Sequence, residues 1–186
     1  PFRLSLVLPP LFPSPPLNLL LYVAFSNLLA VSSALTTLHL NPSAIGGGIP
    51  EVKSLLSGSY KRSIVSPRAV LAKSTGLILA FGAGLSVGKE GPMVQIAAAI
   101  ADSLMRRSPW RHIQANDALR LEVLGCAAAA GVATTFGTPF AATMFSIEVT
   151  AGYFVVENLP RAFLCAVAAT LTMQAVGGGK GTAALF

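Results

Sequence analysis

The chain has 186 residues, of which 53% are hydrophobic and only 11% are charged, and its formal net charge is +6. Ordinary soluble domains are about a quarter charged, so this composition excludes most soluble globular classes and favours an α-helical protein that crosses a membrane several times. The basic residues fall mainly in polar connections and are not interleaved with aromatic residues, which argues against nucleic acid as a partner.

Neither a metal site nor a disulfide framework is indicated by the sequence. The two cysteines, Cys126 and Cys165, lie in separate apolar runs without the spacing of metal ligands, so we interpret them as packing residues. Residues 1–16 are broken by prolines and are predicted to be a truncated or irregular lead-in. Residues 17–186 are predicted to be part of the transmembrane domain of a longer protein.

Apolar runs predict a series of helical segments along the chain. Residues 17–40 form a run long enough to cross a hydrocarbon core of about 30 Å. Several of the later segments are shorter than the ~20 residues that a perpendicular span needs. These segments cover residues 51–56, 69–87, 92–104, 119–135, 140–153 and 161–176. Short helices interrupted by glycine and proline are typical of membrane proteins built from broken, tilted helices.

Three breaks rich in glycine and proline separate these helices, at residues 46–50, 88–92 and 137–139. A helix N-terminus has unpaired backbone N–H groups and about half a positive charge, so several converging N-termini can hold a dehydrated anion. Glycine in the preceding loop lets the backbone approach the anion closely. The breaks therefore predict an anion site near the middle of the membrane.

Glu90 stands inside the second break, where a carboxylate costs a few kcal/mol or more unless it has a partner or a function. An ionised Glu90 beside helix N-termini is itself an anion and would occupy the same site as a permeant anion. Alternatively, Glu90 only caps its helix or pairs with Lys89 or Lys73. The spacing of the residues leaves both interpretations open.

Two nucleotide-binding motifs compete for the residues before Glu90. Residues 82–88 resemble a loosened dinucleotide fingerprint, but they end a long apolar helix instead of following a short strand. Gly88 and Lys89 resemble the end of a P-loop, yet Ala83 replaces the first glycine and Glu90 replaces the hydroxyl residue that would bind magnesium. A soluble nucleotide-dependent enzyme is therefore the weaker alternative.

The motifs resemble those of the voltage-gated chloride channel (CLC) family of anion channels and anion/proton exchangers. Gly46-Gly-Gly-Ile-Pro-Glu51 resembles its first selectivity motif, usually Gly-Ser-Gly-Ile-Pro-Glu, and Gly88-Lys-Glu-Gly-Pro92 resembles its second without change. Gly137-Thr-Pro-Phe140 and Phe145-Ser-Ile-Glu-Val-Thr150 resemble the segment that follows. The resemblance runs from about residue 17 to residue 186. It implies an all-α fold that is the first half of a CLC-type inverted repeat.

The resemblance also implies a set of site residues and partners. The anion pathway would be formed by Gly46, Gly47, Gly48, Ile49 and Pro50. Glu90 would be the gate, and its flanking residues would be Gly88, Lys89, Gly91 and Pro92. The family further implies a transport protein without enzymatic activity or a cofactor, with chloride or another small anion as its substrate. It also implies insertion in a lipid membrane and assembly as a homodimer.

Two positions depart from the pattern of the family. Gly47 stands where serine would donate a hydroxyl to chloride and where proline is associated with nitrate preference, so the selectivity of the site is left open. Val149 stands where exchangers carry a second acid that accepts the internal proton, and valine cannot bind a proton. The match at residues 145–150 resembles the channel branch of the family, so the resemblance implies a passive, voltage-gated chloride channel, with chloride/proton exchange as the alternative. Glu148 is expected to be a buried structural acid paired with a nearby base.

Overall fold

The computed structural model describes residues 15–59, 61–150 and 158–176, and within these ranges all regular secondary structure is helical. The α-helices are α1 (Pro15–Leu40), α2 (Ile49–Leu56), α3 (Pro67–Gly82), α4 (Glu90–Met105), α5 (Arg111–Ala115), α6 (Asp117–Phe136), α7 (Pro139–Thr150) and α8 (Leu159–Val176). Single 3-10 turns lie at Pro42–Ala44 and Ser108–Trp110. The predicted all-α fold of short, broken helices is confirmed. Of the predicted lead-in, residues 1–14 lie outside the described ranges.

Three helix ends differ from the predicted positions in ways that matter for the site. The third helix stops at Gly82 instead of residue 87, because Gly84 adopts a φ of 77° that takes the chain out of the helix. The fourth helix begins at Glu90 instead of residue 92, so Glu90 lies in its first turn. The second helix begins at Ile49 instead of residue 51, so Pro50 is its second residue. Proline is tolerated there because the N–H groups of the first turn lack intrahelical partners.

Small and hydroxyl-bearing residues bring α1 and α3 together. The Ser33 hydroxyl donates a 2.7 Å hydrogen bond to the carbonyl oxygen of Gly76, and the Ser26 hydroxyl donates to the carbonyl oxygen of Ala83. A Cβ atom on Gly76 would lie 2.7 Å from the Thr37 hydroxyl oxygen. The two helices therefore approach closely at Gly76, since a larger side chain there would force α1 away.

The core lies around α6, which packs against α4, α7 and α8. Its crossing with α4 is closest at Gly131, where a Cβ atom would lie 3.0 Å from both the Met93 carbonyl oxygen and the Val94 Cα. Leu124 and Val94 are almost completely buried in the core, and alanine occupies most of the other buried apolar positions of α4 and α6. Alanine and glycine let the helix backbones approach each other, so this core depends on close packing more than on large side chains.

A buried ion-pair cluster joins α4 to α6 near the end of α4. Asp102 is fully buried, and its carboxylate lies 2.8 Å from Arg106 Nη2 and 3.7 Å from Arg120 Nε. A buried carboxylate needs such partners because its desolvation costs several kcal/mol. The cluster therefore fixes the position of α4 relative to α6 without being part of the break at residues 88–92.

By length and composition, three of the described helices are able to cross a membrane, namely residues 17–40 of α1, α6 and α8. The outer face of α1 exposes large aliphatic side chains, including Leu19, Leu20 and Leu28. A continuous aliphatic face of this kind needs lipid or another apolar surface as its environment. The chain is an integral membrane protein of the multi-pass type.

Candidate functional site

The loop at residues 46–48 is shaped by the helix that follows it. Gly46 and Gly48 adopt φ values of 104° and 95°, which side-chain-bearing residues rarely adopt. The Gly48 N–H donates a 2.9 Å hydrogen bond to Glu51 Oε2, so Glu51 closes a capping box at the start of α2. The loop thus enters α2 with one of its N–H groups already used by Glu51.

Lys73 holds the same loop from the opposite direction. It is buried in the middle of α3, and its Nζ donates hydrogen bonds of 2.8 Å to the Ala44 carbonyl oxygen and 2.6 Å to the Gly46 carbonyl oxygen. Its ammonium also interacts electrostatically with the Glu51 carboxylate. Lys73 therefore places a positive charge beneath the glycine loop and fixes the direction of two of its carbonyl groups.

The first and second breaks pack directly on each other through glycine. A Cβ atom on Gly48 would lie 2.5 Å from the Gly91 carbonyl oxygen, and a Cβ atom on Gly91 would overlap the Gly47 carbonyl oxygen. Gly48 and Gly91 are both buried at this contact. The structure therefore brings the N-terminal ends of α2 and α4 together, as the sequence predicts for the two motifs.

Glu90 lies in the first turn of α4, and its side chain bends back over Gly88. A Cβ atom on Gly88 would lie only 2.5 Å from Glu90 Oε2. Glu90 is half-buried, and within the described ranges its carboxylate has neither a hydrogen bond nor an ion pair. Pairing of Glu90 with Lys73 or Lys89 is thus not seen in this part of the chain, and the Lys73 ammonium is bonded to loop carbonyl groups instead.

Gly47 differs from its neighbours because it has free space beside it. A Cβ atom on Gly47 would meet no other atom within 4 Å, and its φ is outside the left-handed region. Gly47 is exposed, whereas Gly48 is buried. Residue 47 is therefore the position in the loop where a side chain could be added without steric cost.

The helix that follows the third break, α7, carries Glu148 and Val149. α7 starts at Pro139 and packs against α2, α6 and α8. Glu148 is exposed on α7 and forms no ion pair with any described residue, so the expectation of a buried, paired acid is wrong. The reason is that this face of α7 is not covered by another helix of the described chain. Val149 lies next to it in α7, and its side chain is outside the described part.

A cavity of about 410 Å³ opens beside the glycine loop. Gly46, Lys73 and Pro92 contribute to its wall, so it touches all three parts of the candidate site. Most of its other lining residues are aliphatic, and most come from α1 and α3. An aliphatic wall does not replace the hydration of an anion, so most of this cavity lacks the polar groups that an anion needs.

The family model described as "Voltage gated chloride channel" matches residues 28–185. Chloride channel protein F of Dictyostelium discoideum is 40% identical over 161 residues, which is 87% of this chain and 19% of that protein. The chain belongs to the voltage-gated chloride channel (CLC) family.

Two further CLC relatives agree with this assignment. H(+)/Cl(-) exchange transporter 5 of Oryctolagus cuniculus is 37% identical over 159 residues, covering 86% of this chain and 19% of the transporter. The crystal structure of a eukaryotic CLC transporter superposes with a TM-score of 0.86 at 34% identity, covering 93% of this chain and 32% of that one. The chain therefore spans about a fifth of the length of the curated CLC relatives that it matches.

In this CLC chain, most of the predicted site residues lie close together. Their roles in transport stay predictions. The loop at 46–50, the loop at 88–92 and Glu90 lie together, while Val149 belongs to α7. Sequence reasoning treated Lys73 only as a partner for Glu90 and missed its bonds to the glycine loop. The sequence did contain an indication of these bonds, because a single lysine in an apolar run needs a buried partner. A nucleotide site at residues 82–88 loses support, since α3 and a turn precede Gly88 where the fingerprint requires a strand.

Proposed function

We propose that this chain forms part of an anion-transport pathway, with chloride or an anion of similar size as its substrate. The observation that carries the proposal is the packing of Gly48 on Gly91, which joins the N-terminal ends of α2 and α4. Each N-terminus contributes unpaired N–H groups and about half a positive charge. Together they can replace part of the hydration shell of an anion without binding it irreversibly.

Two charged side chains near the two N-termini affect how strongly an anion would bind, and they act in opposite directions. The Lys73 ammonium lies beneath the Gly46 carbonyl group and adds positive charge to the region. Glu51 adds a negative charge and uses the Gly48 N–H, which lowers the attraction for an anion. The opposed charges favour moderate affinity, as a transport site requires, because an anion that binds too tightly cannot leave.

Glu90 is the group that we propose to compete with the anion. An ionised carboxylate in the first turn of a helix gains about 0.3–1 kcal/mol from the helix dipole. Glu90 has no further described partner that would hold it in place. Such a weak hold lets either a permeant anion or protonation displace the carboxylate. Displacement would open the site, and the return of the ionised side chain would close it.

The test is anion flux through the full-length protein in liposomes, with Glu90→Gln as the variant. The wild type should show a chloride flux that changes with pH, whereas Glu90→Gln should show a high flux that is nearly independent of pH. Asp117→Asn is the matched control, because Asp117 is a highly exposed acid in the first turn of α6. Wild-type pH dependence in the Glu90→Gln protein would contradict the proposed role of Glu90.

Proton-coupled exchange is the mode of transport that the comparisons favour. One relative is named an H(+)/Cl(-) exchange transporter, and the structural neighbour is titled a CLC transporter. In this case the internal proton acceptor is a residue other than residue 149. Passive conduction is the second candidate, because valine occupies position 149 and another relative is named a chloride channel protein.

The reversal potential of the current separates these two modes. With equal chloride on both sides and a pH gradient, an exchanger gives a reversal potential that follows the proton gradient, and a passive channel gives one at zero. The same recording on Glu90→Gln should show a reversal potential at zero in either case. The predicted homodimer and the roles of residues 46–50 stay predictions.

A further inference from the structure

The connection between α4 and α6 carries positive charge that no acid of the described chain balances. Residues 103–116 contain three arginines and one histidine, and they contain no acidic residue. Arg106 is paired with the buried Asp102 of α4. Arg107 and Arg111 are both exposed, and neither forms an ion pair with any residue that the structure describes. Two arginines of this connection are therefore open to a negatively charged partner.

The position of the connection in the chain places it at a membrane surface. It leads into α6, which begins at Asp117 and, at 20 residues, is long enough to cross the hydrocarbon core. The Asp117 side chain is 94% exposed. An exposed carboxylate at the first residue of a spanning helix belongs at the end that faces water, because a charged group within the hydrocarbon core is costly. The residues just before Asp117 therefore lie at the level of the lipid headgroups.

The connection is folded against the protein with its basic residues on the outside. The 3-10 turn at Ser108–Trp110 leads directly into α5, which packs on α4 and α6. Ile113 packs against the core, whereas Arg111 and His112 are exposed. Trp110 is 53% exposed beside Arg111. Tryptophan is enriched where the hydrocarbon core meets the headgroups, because its ring is apolar and its N–H needs a polar partner.

We propose that residues 106–116 form a binding surface for an anionic phospholipid of the surrounding bilayer. Arg107 and Arg111 bind the phosphate group, for which a guanidinium is well suited because it offers several N–H donors in one plane. Trp110 lies beside the glycerol and the first carbons of the acyl chains. A zwitterionic lipid also has a phosphate, but its ammonium group cancels the charge, so two unpaired arginines favour the anionic lipid.

A soluble acidic protein is the weaker match for this surface. It offers negative charge, but it has no acyl chains beside which an exposed Trp110 would lie. The connection also lies next to the headgroups already, so the local concentration of lipid is high without any association step. Each arginine near a membrane surface favours an anionic headgroup by about fivefold.

Photo-crosslinking from position 110 of the full-length protein tests this proposal. The variant Trp110→p-benzoylphenylalanine is reconstituted in vesicles of phosphatidylcholine with phosphatidylglycerol as the minor component, and mass spectrometry identifies its lipid adducts after irradiation. The ratio of phosphatidylglycerol to phosphatidylcholine among the adducts should exceed that of the bilayer by at least about fivefold. Inorganic phosphate in the buffer should not remove this enrichment, and its removal would indicate a site for soluble phosphates instead.

Two double variants, made in the background of the crosslinking variant, provide the matched comparison. Arg107→Gln/Arg111→Gln removes two exposed charges from the connection, so the adduct ratio should fall to that of the bilayer. Lys61→Gln/Arg62→Gln removes two exposed charges from the connection before α3 and should leave the enrichment unchanged. The proposal is overturned if position 110 shows no enrichment, if both double variants change it equally, or if the adducts are protein instead of lipid. The crosslinking variant alone decides where a double variant fails to fold.

Discussion

Gly48 and Gly91 come from two different breaks in the helices, yet they pack so closely that neither has room for a methyl group. A Cβ atom on Gly48 would lie 2.5 Å from the Gly91 carbonyl oxygen. The contact joins the N-terminal ends of α2 and α4, on which the proposed anion site depends. Its tightness also makes the site sensitive to single substitutions in a way that can be measured.

Gly48→Ala is expected to destabilise the protein by about 2–6 kcal/mol. The substitution combines a positive φ, which costs an alanine about 1–3 kcal/mol, with a clash against backbone that costs about 1–3 kcal/mol. Gly47→Ala is the control, since its Cβ atom would meet nothing within 4 Å. Thermal unfolding of the full-length protein in detergent should show a clear loss for Gly48→Ala and a change near zero for Gly47→Ala. Equal losses would contradict the described contact.

Gly47→Ser should strengthen chloride binding without affecting stability. The added hydroxyl occupies free space and can donate to an anion at the N-terminus of α2. One such hydrogen bond contributes about 0.5–1.5 kcal/mol net, which corresponds to roughly a 2- to 13-fold gain in affinity. Calorimetric titration with chloride measures this gain, and Gly47→Ala separates the effect of the hydroxyl from that of the added carbon. No difference between the two variants would place the anion elsewhere.

Lys73→Met should weaken anion binding more than it weakens the fold. The variant loses the hydrogen bonds to the Ala44 and Gly46 carbonyl oxygens, but it also removes the cost of burying an ammonium, so the two effects on stability partly offset each other. No such offset exists for the anion, which loses a nearby positive charge. We expect roughly a tenfold lower chloride affinity, equivalent to about 1.4 kcal/mol.

Lys73→Arg is the control for this prediction, because it keeps the positive charge and changes only the geometry of the donors. It should retain more chloride affinity than Lys73→Met in the same titration. If both variants lose affinity equally, the direction of the loop carbonyl groups matters and the charge does not. If neither loses affinity, Lys73 has only a structural role.

Gly88→Ala is expected to move the Glu90 carboxylate without unfolding the protein. The new Cβ atom would come within 2.5 Å of Glu90 Oε2, and the end of a flexible side chain can move away at small cost. A displaced carboxylate competes less well with the anion, so chloride flux should rise and its pH dependence should weaken, toward the behaviour of Glu90→Gln. In the double variant Gly88→Ala/Glu90→Gln the added methyl should have no further effect, and an additive effect would show that Gly88 acts independently of Glu90.

The position of the helices and of the breaks between them was predictable from the sequence, because both depend on local properties. Apolar runs set the helices, and glycine with proline sets where they end, so most boundaries fell within two residues of the prediction. The start of α4 was predicted two residues late, because residues 90 and 91 gave no helix signal before Pro92. The stop of α3 at Gly82 was missed because the apolar run continues through Val87.

Which residues meet was decided only by the tertiary structure. The sequence placed Gly48, Glu90 and Lys73 in separate segments, and the packing of α1, α3 and α4 determined that Gly48 faces Gly91 and that Lys73 reaches the Gly46 carbonyl oxygen. The ion pair between Arg161 and Glu122 likewise depends on the packing of α8 on α6. Residue spacing fixes the face of one helix, but a contact between two helices depends on their crossing and register, which a local pattern does not contain.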